Sequence, residues 1–374
     1  MNKKFFMGIA AMAALTLVSC SSDDLDSLSD NSSKNEAISF DGYLGRSAVA
    51  VNGSRGSVET KETLKTKGFG VFSKYTGTAS FPEFVNQKVT CPGTKWTYSP
   101  LKFWPSDGHI DFLAYAPYVK NTTLTEGSKI DNFTVSTTIA DQTDLLWTNA
   151  KSSISADVTS SKNKVNFQFH HALSRLGYTV NLTGDYSSNP ENNATFTLKK
   201  ITLAGSSDGT KGAFYTSGTI DLSKATKDAK LWSGQTGKQK FDWSSVDKLV
   251  TYVNPTDHTK KPVSNRDTEY LFVIPQDFSK DKIEGQPDPD ELYVIVEYTI
   301  HYQDGKEQTN TVYKQIKRNF LQGKAYNLNL TLGLPIEFDV DVTGGVNAGV
   351  DGWEAPENGT GDINIGSNTN PWER

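Results

Sequence analysis

The sequence has little of three things: cysteine, net positive charge and long apolar stretches. Its 38 Lys and Arg against 43 Asp and Glu give a formal net charge of −5, whereas a general affinity for nucleic acid requires clustered positive charge. Nucleic acid is therefore excluded as a partner. After residue 20 no apolar run reaches the roughly 20 residues that a membrane-spanning helix needs. The chain has only two cysteines, so we expect packing rather than a disulfide framework to stabilise it.

Motifs for catalysis are also missing. The chain contains no Gly-x-Ser-x-Gly elbow, no phosphate-binding glycine loop and no Cys-His pairing. Carboxylates are plentiful, but no pair stands out for acid/base work. We therefore predict that the protein is not an enzyme and that it needs no cofactor.

Two groups of polar residues contain side-chain types that can bind metal ions. His170 and His171 are adjacent in a strand-like segment and so point to opposite faces, which prevents them from sharing one ion. Asp288, Asp290 and Glu291 lie in a loop interrupted by proline, where carboxylates suit calcium. Neither group predicts a metal site.

The first 20 residues have the layout of a secretory signal that ends in a lipidation site. Lys3 and Lys4 precede the mostly apolar stretch 5–18, which is too short to cross a bilayer, and Ser19-Cys20 follow it. We predict a lipoprotein signal peptide at 1–19 and a lipid on Cys20 that holds the protein at a membrane. An ordinary secretory leader with a chance cysteine is the alternative. Residues 20–36 are rich in Ser, Asp and Asn and predict an acidic flexible tether.

The remainder of the chain has the pattern of an all-β protein. Short apolar and polar alternations separated by turn residues, without a long helical period, indicate antiparallel β-sandwiches. Asp304-Gly305 predicts a hairpin between two of the strands, whereas 44–68, rich in Lys and Arg, predicts an exposed loop. Strands are predicted around Ile38 and Phe40 and at 69–75, 95–98, 110–115, 133–139, 165–169, 176–182, 195–203, 249–253, 270–274, 292–302, 309–316 and 326–332.

We divide this part of the chain into two domains and an extension. The predicted N-terminal β-sandwich spans 37–163, the C-terminal one spans 164–334, and 335–374 is a C-terminal extension. The extension opens with an apolar stripe whose other face is acidic. It is either an ordinary edge strand of its own domain or a strand offered to another chain. The stripe consists of Ile336, Phe338, Val340 and Val342.

Four segments resemble those of one bacterial family. The run Lys95-Trp96-Thr97-Tyr98 leads to Phe103-Trp104-Pro105 and Ile110-Asp111-Phe112-Leu113-Ala114-Tyr115-Ala116-Pro117-Tyr118; then follow Phe169-His170-His171-Ala172-Leu173-Ser174-Arg175-Leu176, Tyr270-Leu271-Phe272-Val273-Ile274-Pro275-Gln276 and Gly323-Lys324-Ala325-Tyr326-Asn327-Leu328-Asn329-Leu330. Each segment alone is common. In this order and spacing, over most of the chain, they resemble the fimbrillin-like proteins of Bacteroidales.

The resemblance implies a type V pilin built from two transthyretin-like β-sandwiches in tandem. Such a subunit reaches the outer membrane as a lipoprotein, is cut after an arginine by a protease, loses its first strand and accepts a C-terminal strand from another copy. Here the departing strand would contain Ile38 and Phe40, and the cut would follow Arg46, with Arg55 as the alternative. The donor strand would lie within 336–374, with Ile336, Phe338, Val340 and Val342 as its inward residues.

Its partners would be copies of itself and related pilins, the maturation protease and the outer membrane, and its role would be adhesion as part of a surface pilus. Three alternatives stay open. The chain could be an uncut anchor subunit that keeps its lipid, or a surface glycan-binding lipoprotein that uses Trp96, Tyr98, Phe103 and Trp104 as a stacking platform. A glycoside hydrolase is disfavoured because a suitable carboxylate pair is missing.

Overall fold

The computed structural model describes residues 37–44, 59, 61–153, 164–188, 193–224, 230–243, 246–257, 259–265, 269–334 and 336–344. About half of these residues form strands, and helix within them is limited to α1 (Lys61–Lys67) and a short 3-10 helix at Ile139–Asp141. No helix in this part of the chain is long and apolar enough to cross a bilayer. The predicted all-β fold class is confirmed.

The N-terminal half contributes one six-stranded sheet in the order β1-β7-β6-β4-β2-β3. The first strand, β1, is at an edge of this sheet and runs parallel to β7, with Phe40 opposite Val165. The other neighbours in the sheet are antiparallel. The strands of this half are β1 (Ser39–Leu44), β2 (Phe69–Thr76), β3 (Gln87–Val89), β4 (His109–Ala116), β5 (Lys129–Thr134), β6 (Leu146–Ser153) and β7 (Lys164–His171).

The C-terminal half contains two five-stranded sheets that pack face to face around one large apolar core. One sheet has the order β12-β9-β17-β18, with β13 also on β9, and the other has the order β14-β8-β20-β21, with β15 also on β8. The strands are β8 (Ser174–Leu182), β9 (Ala194–Ala204), β10 (Phe214–Asp221), β11 (Trp232–Gln239), β12 (Phe241–Trp243), β13 (Lys248–Val250), β14 (Val263–Ser264), β15 (Leu271–Val273), β16 (Gln276–Asp277), β17 (Tyr293–Tyr302), β18 (Glu307–Gln315), β19 (Asn319–Phe320), β20 (Ala325–Gly333) and β21 (Glu337–Gly344).

The Asp304-Gly305 hairpin is confirmed between β17 and β18. Gly305 has φ +84°, a conformation that glycine adopts without a steric penalty, and Tyr302 N–H donates to the Lys306 carbonyl at 2.9 Å. The two strands then pair antiparallel over nine residue pairs, from Tyr293 opposite Gln315 to His301 opposite Glu307.

The two halves interlock more than the sequence predicted. The strand β7, which begins at Lys164 and was assigned to the second domain, pairs with β1 and β6 of the first sheet. The chain enters the C-terminal sheets only at Ser174. The N-terminal strand β5 in turn pairs with β10, and an apolar cluster that includes Trp147 and Trp232 combines residues of both halves. Local alternation shows that a strand exists, not which sheet it joins.

Three local predictions were wrong. Residues 95–98 make only an isolated bridge at Thr97, and the strand predicted at 133–139 lies earlier, at β5. The predicted loop 44–68 contains α1, whose Leu64 is buried. This helix ends at Lys67. The next residue, Gly68, has φ +74° and donates its N–H to the Leu64 carbonyl at 2.8 Å, a common helix C-cap.

Candidate functional site

Phe40 fixes β1 in the N-terminal core. It is 3% exposed, and Ile38 on the same face is 1% exposed, because alternate residues of a strand face the same side. The Phe40 ring stacks on Phe167 of β7, with centroids 5.6 Å and planes 9° apart. Four more rings surround it at centroid distances of 5.3–6.5 Å, and with Phe167 they form the aromatic pocket: Phe84, Tyr98, Phe112 and Phe69.

A loop between β3 and β4 holds β1 from the side opposite β7. Ile38 N–H donates to the Lys102 carbonyl at 2.8 Å, and the Tyr98 hydroxyl donates to the Ile38 carbonyl at 2.7 Å. Ala37 forms an antiparallel bridge with Phe103. The first strand therefore lies in a slot between β7 and this loop, which we call the β1 groove.

The β1 groove narrows towards the end of the strand. Gly42 is the third inward position after Ile38 and Phe40, and it is buried. A Cβ atom at Gly42 would lie 3.1 Å from Cε1 of Phe69, 3.4 Å from Cε2 of Phe169 and 3.5 Å from Cζ2 of Trp96. A larger residue fits here only if these rings move by a few tenths of an ångström.

The chain after β1 contains both predicted cleavage residues, Arg46 and Arg55, and they lie outside the described residues, as does Cys20. The described chain resumes at Glu59, which is fully buried. Its N–H donates to Oδ2 of Asp144 at 2.9 Å, and the same carboxylate lies 2.9 Å from Nδ1 of His171. The described residues on either side of 45–58, those of β1 and Glu59, thus both contact the N-terminal half.

Burial raises the pKa of the Glu59 carboxyl, although its ion pair with Lys67 opposes the shift. The folded chain then binds this proton more tightly than the unfolded chain, so the stabilising effect of protonation is complete below the ordinary pKa of 4.5 and is lost as pH rises through the higher folded pKa. The glutamine of Glu59→Gln stays neutral at every pH. We therefore expect the free energy of unfolding of this variant to rise relative to that of the parent chain as pH increases through this window. Urea unfolding of both chains from about pH 4 to about pH 8 measures the difference, and parallel pH profiles would contradict it.

The apolar stripe of the predicted extension begins at Ile336 and continues in β21, which lies at the edge of a C-terminal sheet and pairs antiparallel with β20 of the same chain. Val340 is buried, Phe338 and Val342 are half-buried, and Ile336 is 53% exposed. In the single chain, β21 is therefore an edge strand of its own domain, which was one of the two alternatives. Its role as a donor strand stays a prediction.

Polar contacts also hold β21 in place. Lys314 of β18 forms an exposed ion pair with Asp339, and the Asn329 amide donates to Oγ1 of Thr343 at 2.9 Å. Exposed ion pairs of this kind contribute little, about 0–1 kcal/mol. These side-chain contacts therefore add little to the ladder of eight residue pairs that joins β21 to β20.

The aromatic residues considered as a glycan platform mostly belong to the core. Tyr98 lines the aromatic pocket, Trp96 packs on Phe69 with centroids 5.0 Å apart, and Trp104 meets Phe112 edge to face. Only Phe103 of the four is exposed, at 47%. Such packing leaves no stacked aromatic surface in this segment for a sugar.

The residues considered as metal ligands have other contacts. His171 is buried against Asp144, whereas His170 on the other face packs towards Trp147. Asp288 pairs with Lys282 at 2.7 Å, and Asp290 accepts a hydrogen bond from the Gln276 amide at 2.6 Å. Among the described residues, no three His, Cys, Asp or Glu side chains are grouped so that they could hold a metal ion.

Sequence reasoning missed three contributors to the β1 groove: Phe84, Lys102 and Gly42. Phe84 follows Pro82 in a stretch without strand alternation, and Lys102 acts through its backbone carbonyl, which no side-chain pattern reveals. Gly42 had a usable signal, because a glycine that continues the alternation of a strand often marks a close approach of other groups.

These features define a class of protein: an all-β sandwich chain whose first described strand fills a core groove from the sheet edge and whose last described strand lies at another edge. The chain belongs to the fimbrillin-like family, whose model matches residues 57–353. The family resemblance inferred from the sequence is thereby confirmed.

Individual relatives agree with this assignment. Fimbrium subunit Fim1C of Phocaeicola vulgatus is 26% identical over 394 aligned residues, which cover 96% of this chain and 98% of the relative. The crystal structure of a fimbrial protein from Bacteroides vulgatus has a TM-score of 0.58 at 20% identity and covers 83% of this chain and 99% of that chain. The second similarity shows a shared fold.

Proposed function

We propose that this chain is a structural subunit of a surface fimbria that polymerises by strand exchange. In this proposal β1 leaves after proteolysis, and β21 of another copy takes its place in the β1 groove. The observation that carries the proposal is the position of Phe40: the strand that precedes the candidate cleavage residues supplies the central ring of the aromatic pocket. The description of the relative from Phocaeicola vulgatus as a fimbrium subunit supports the same role.

Cleavage within 45–58 would lower the effective concentration of β1 at its groove without changing the contacts that β1 makes there. While the chain is intact, β1 is held near its groove at a high effective concentration, which any strand from another molecule must overcome. After a cut at Arg46 or Arg55, β1 is held only by non-covalent contacts and can be lost by dilution. The chain from Glu59 onwards keeps its buried attachment to Asp144, so the groove keeps its shape.

The apolar content of β21 favours exchange, and the ladder of eight residue pairs with β20 that the strand gives up in its own domain opposes it. Four inward side chains at roughly 1.5–3 kcal/mol each give at most about 6–12 kcal/mol on burial. The net gain is smaller, because Val340 is already buried and Phe338 and Val342 are half-buried in their own domain. Ladder hydrogen bonds add about 0.5–1.5 kcal/mol each. Addition of a strand from a partner to a sheet edge is an established mode of protein recognition.

The route to the surface is part of the same proposal. Cys20 carries the lipid that attaches the precursor to the outer membrane, residues 20–36 space the folded part from it, and an arginine-specific protease releases the chain for assembly into the fimbria. Two or more acyl chains are needed for stable anchoring. An anchor subunit would differ by keeping Cys20 and β1.

Limited digestion of the purified full-length chain with an arginine-specific protease tests the proposal. We expect one early cut after Arg46 or Arg55, followed by ladders of oligomers that resist warm detergent. The matched control is the double variant Arg46→Ala, Arg55→Ala, which should stay uncut and monomeric. A parent chain that is cut, loses the peptide containing Phe40 and still remains monomeric would contradict the proposal, and a shift in glycan-containing gels would then favour the glycan-binding alternative.

A further inference from the structure

We propose that strand exchange has a defined register, in which Ile336 and Phe338 of one copy occupy the positions of Ile38 and Phe40 in the next copy and run in the same direction as β1. This inference rests on the proposed function and specifies the partner segment and its alignment. It follows from a sequence similarity between the segment that begins at Ile38 and the segment that begins at Ile336.

The beginning of β1 and the beginning of the stripe in β21 share a pattern. Ile38-Ser39-Phe40-Asp41 and Ile336-Glu337-Phe338-Asp339 are identical at three of four positions. In β1 the two apolar residues face the core, and Asp41 faces outward, where it lies 3.7 Å from Nζ of Lys164. In the proposed register, Phe338 enters the aromatic pocket and Asp339 meets the same lysine of the acceptor.

The two matched apolar residues are incompletely buried in their own domain. Ile336 is 53% exposed and Phe338 is half-buried, whereas their counterparts Ile38 and Phe40 are buried almost completely. Transfer of β21 into the groove of another copy would therefore bury apolar surface that the single chain leaves in contact with water. Val340, in contrast, is already buried against its own domain.

A second register competes because β21 ends in glycine. A shift of four residues would place Gly344 at the narrow position of Gly42, but it would also place Val342 in the aromatic pocket. Five rings lie around Phe40, and a valine would leave much of the phenyl volume empty, which protein cores tolerate poorly. The proposed register fills the pocket with a phenyl ring, and its cost is that Val340 replaces Gly42 and must displace the nearby edges of Phe69, Phe169 and Trp96.

The backbone contacts of the β1 groove agree with the proposed register. Ile38 donates its N–H to the Lys102 carbonyl, and Ile336 can do the same. A shift by one residue would place Pro335 at that position, and proline has no N–H to donate. The same shift would turn Glu337 and Asp339 into the apolar groove, since successive side chains of a strand alternate between faces.

Cysteine pairs between β21 and β7 report the register directly. In the precursor, Ser39 is opposite Lys164 and Asp41 is opposite Asn166, so the proposed register brings Glu337 opposite Lys164 and Asp339 opposite Asn166 of the acceptor. We would introduce two in-frame pairs, Asn166→Cys with Asp339→Cys and Lys164→Cys with Glu337→Cys. The pair Asn166→Cys with Thr343→Cys reports the competing register. All three are made in full-length Cys91→Ala chains, digested as above and oxidised mildly.

We expect both in-frame pairs to give covalent ladders on non-reducing gels, and the third pair to give none. Paired strands are about 4.8 Å apart and four residues along a strand span about 13 Å, whereas a disulfide requires Cα atoms within about 7 Å. The controls carry one introduced cysteine each, and once digestion has released the segment that contains Cys20 they can form dimers at most.

The outcomes separate the register from the proposed function. A ladder from Asn166→Cys with Thr343→Cys alone, or detergent-resistant polymers that no pair cross-links, would overturn the register and leave strand exchange standing. If the digested parent chain forms no polymer, the proposed function fails and the register fails with it. If one in-frame pair prevents assembly, the other pair decides.

Discussion

Replacement of Phe40 by alanine is expected to lower the free energy of unfolding of the precursor by about 3–5 kcal/mol. The reason is the aromatic pocket: the ring is 3% exposed and has five aromatic neighbours, so its removal leaves a cavity that the surrounding sheet cannot close. Urea unfolding of the uncut chain, followed by near-ultraviolet circular dichroism, measures the change.

The matched control for this prediction is Phe103→Ala. Phe103 is 47% exposed and lies in the loop that covers β1, so its loss should change the free energy of unfolding much less, by up to about 1 kcal/mol. Equal losses in the two variants would show that β1 does not depend on the aromatic pocket. After cleavage and loss of β1, the Phe40→Ala chain and the parent chain have the same sequence, so their polymers should be identical.

Replacement of Phe338 by aspartate should nearly abolish polymerisation while leaving the monomer folded. In the monomer the side chain is half-buried at a sheet edge, where a carboxylate can still reach water. In the proposed polymer it would enter the aromatic pocket, where an unpaired charge is strongly disfavoured. A loss of about 3–5 kcal/mol in the exchange corresponds to a more than 100-fold weaker association. Densitometry of detergent-resistant ladders after cleavage, and circular dichroism of the monomer, measure the two effects.

Two companion variants make the Phe338 result specific. Asp341→Asn changes an exposed residue of the same strand and should polymerise as the parent chain does. Val342→Asp should also impair assembly, because Val342 faces inward in either register. If Phe338→Asp polymerises normally and Val342→Asp does not, β21 donates in the competing register. Normal ladders from both aspartate variants would exclude β21 as the donor.

Strands with clear alternation were predictable from the sequence, because apolar burial on one face is a local property. The segments at β2, β4, β8 and β17 were predicted to within a few residues, and Asp304-Gly305 fixed the hairpin between β17 and β18. The partners of strands that are distant in the sequence were not predictable. The parallel pairs β1 with β7 and β8 with β20 join segments that are far apart in the sequence, and no turn residue encodes such a pairing.

The candidate site also has a part that the sequence predicted and a part that it did not. Ile38 and Phe40 were predicted as inward residues of a short strand from their alternation with Ser39, and both are buried. The groove around them could not be predicted. Phe84 and Lys102 come from segments without regular alternation, and Tyr98 comes from the segment 95–98 that was wrongly predicted as a strand; all three approach β1 only in the folded chain. The lipid on Cys20, the cut after Arg46 or Arg55 and the donor role of β21 stay predictions.

The central claim is that β1 leaves the groove and that a strand of another copy replaces it. Mass spectrometry of subunits extracted from assembled fimbriae, combined with N-terminal sequencing, tests this claim most directly. The account predicts a subunit that begins at Ser47, or at Gly56 if Arg55 is cut, and fimbriae that contain no peptide with Ile38 and Phe40. Assembled subunits that retain these two residues would contradict it.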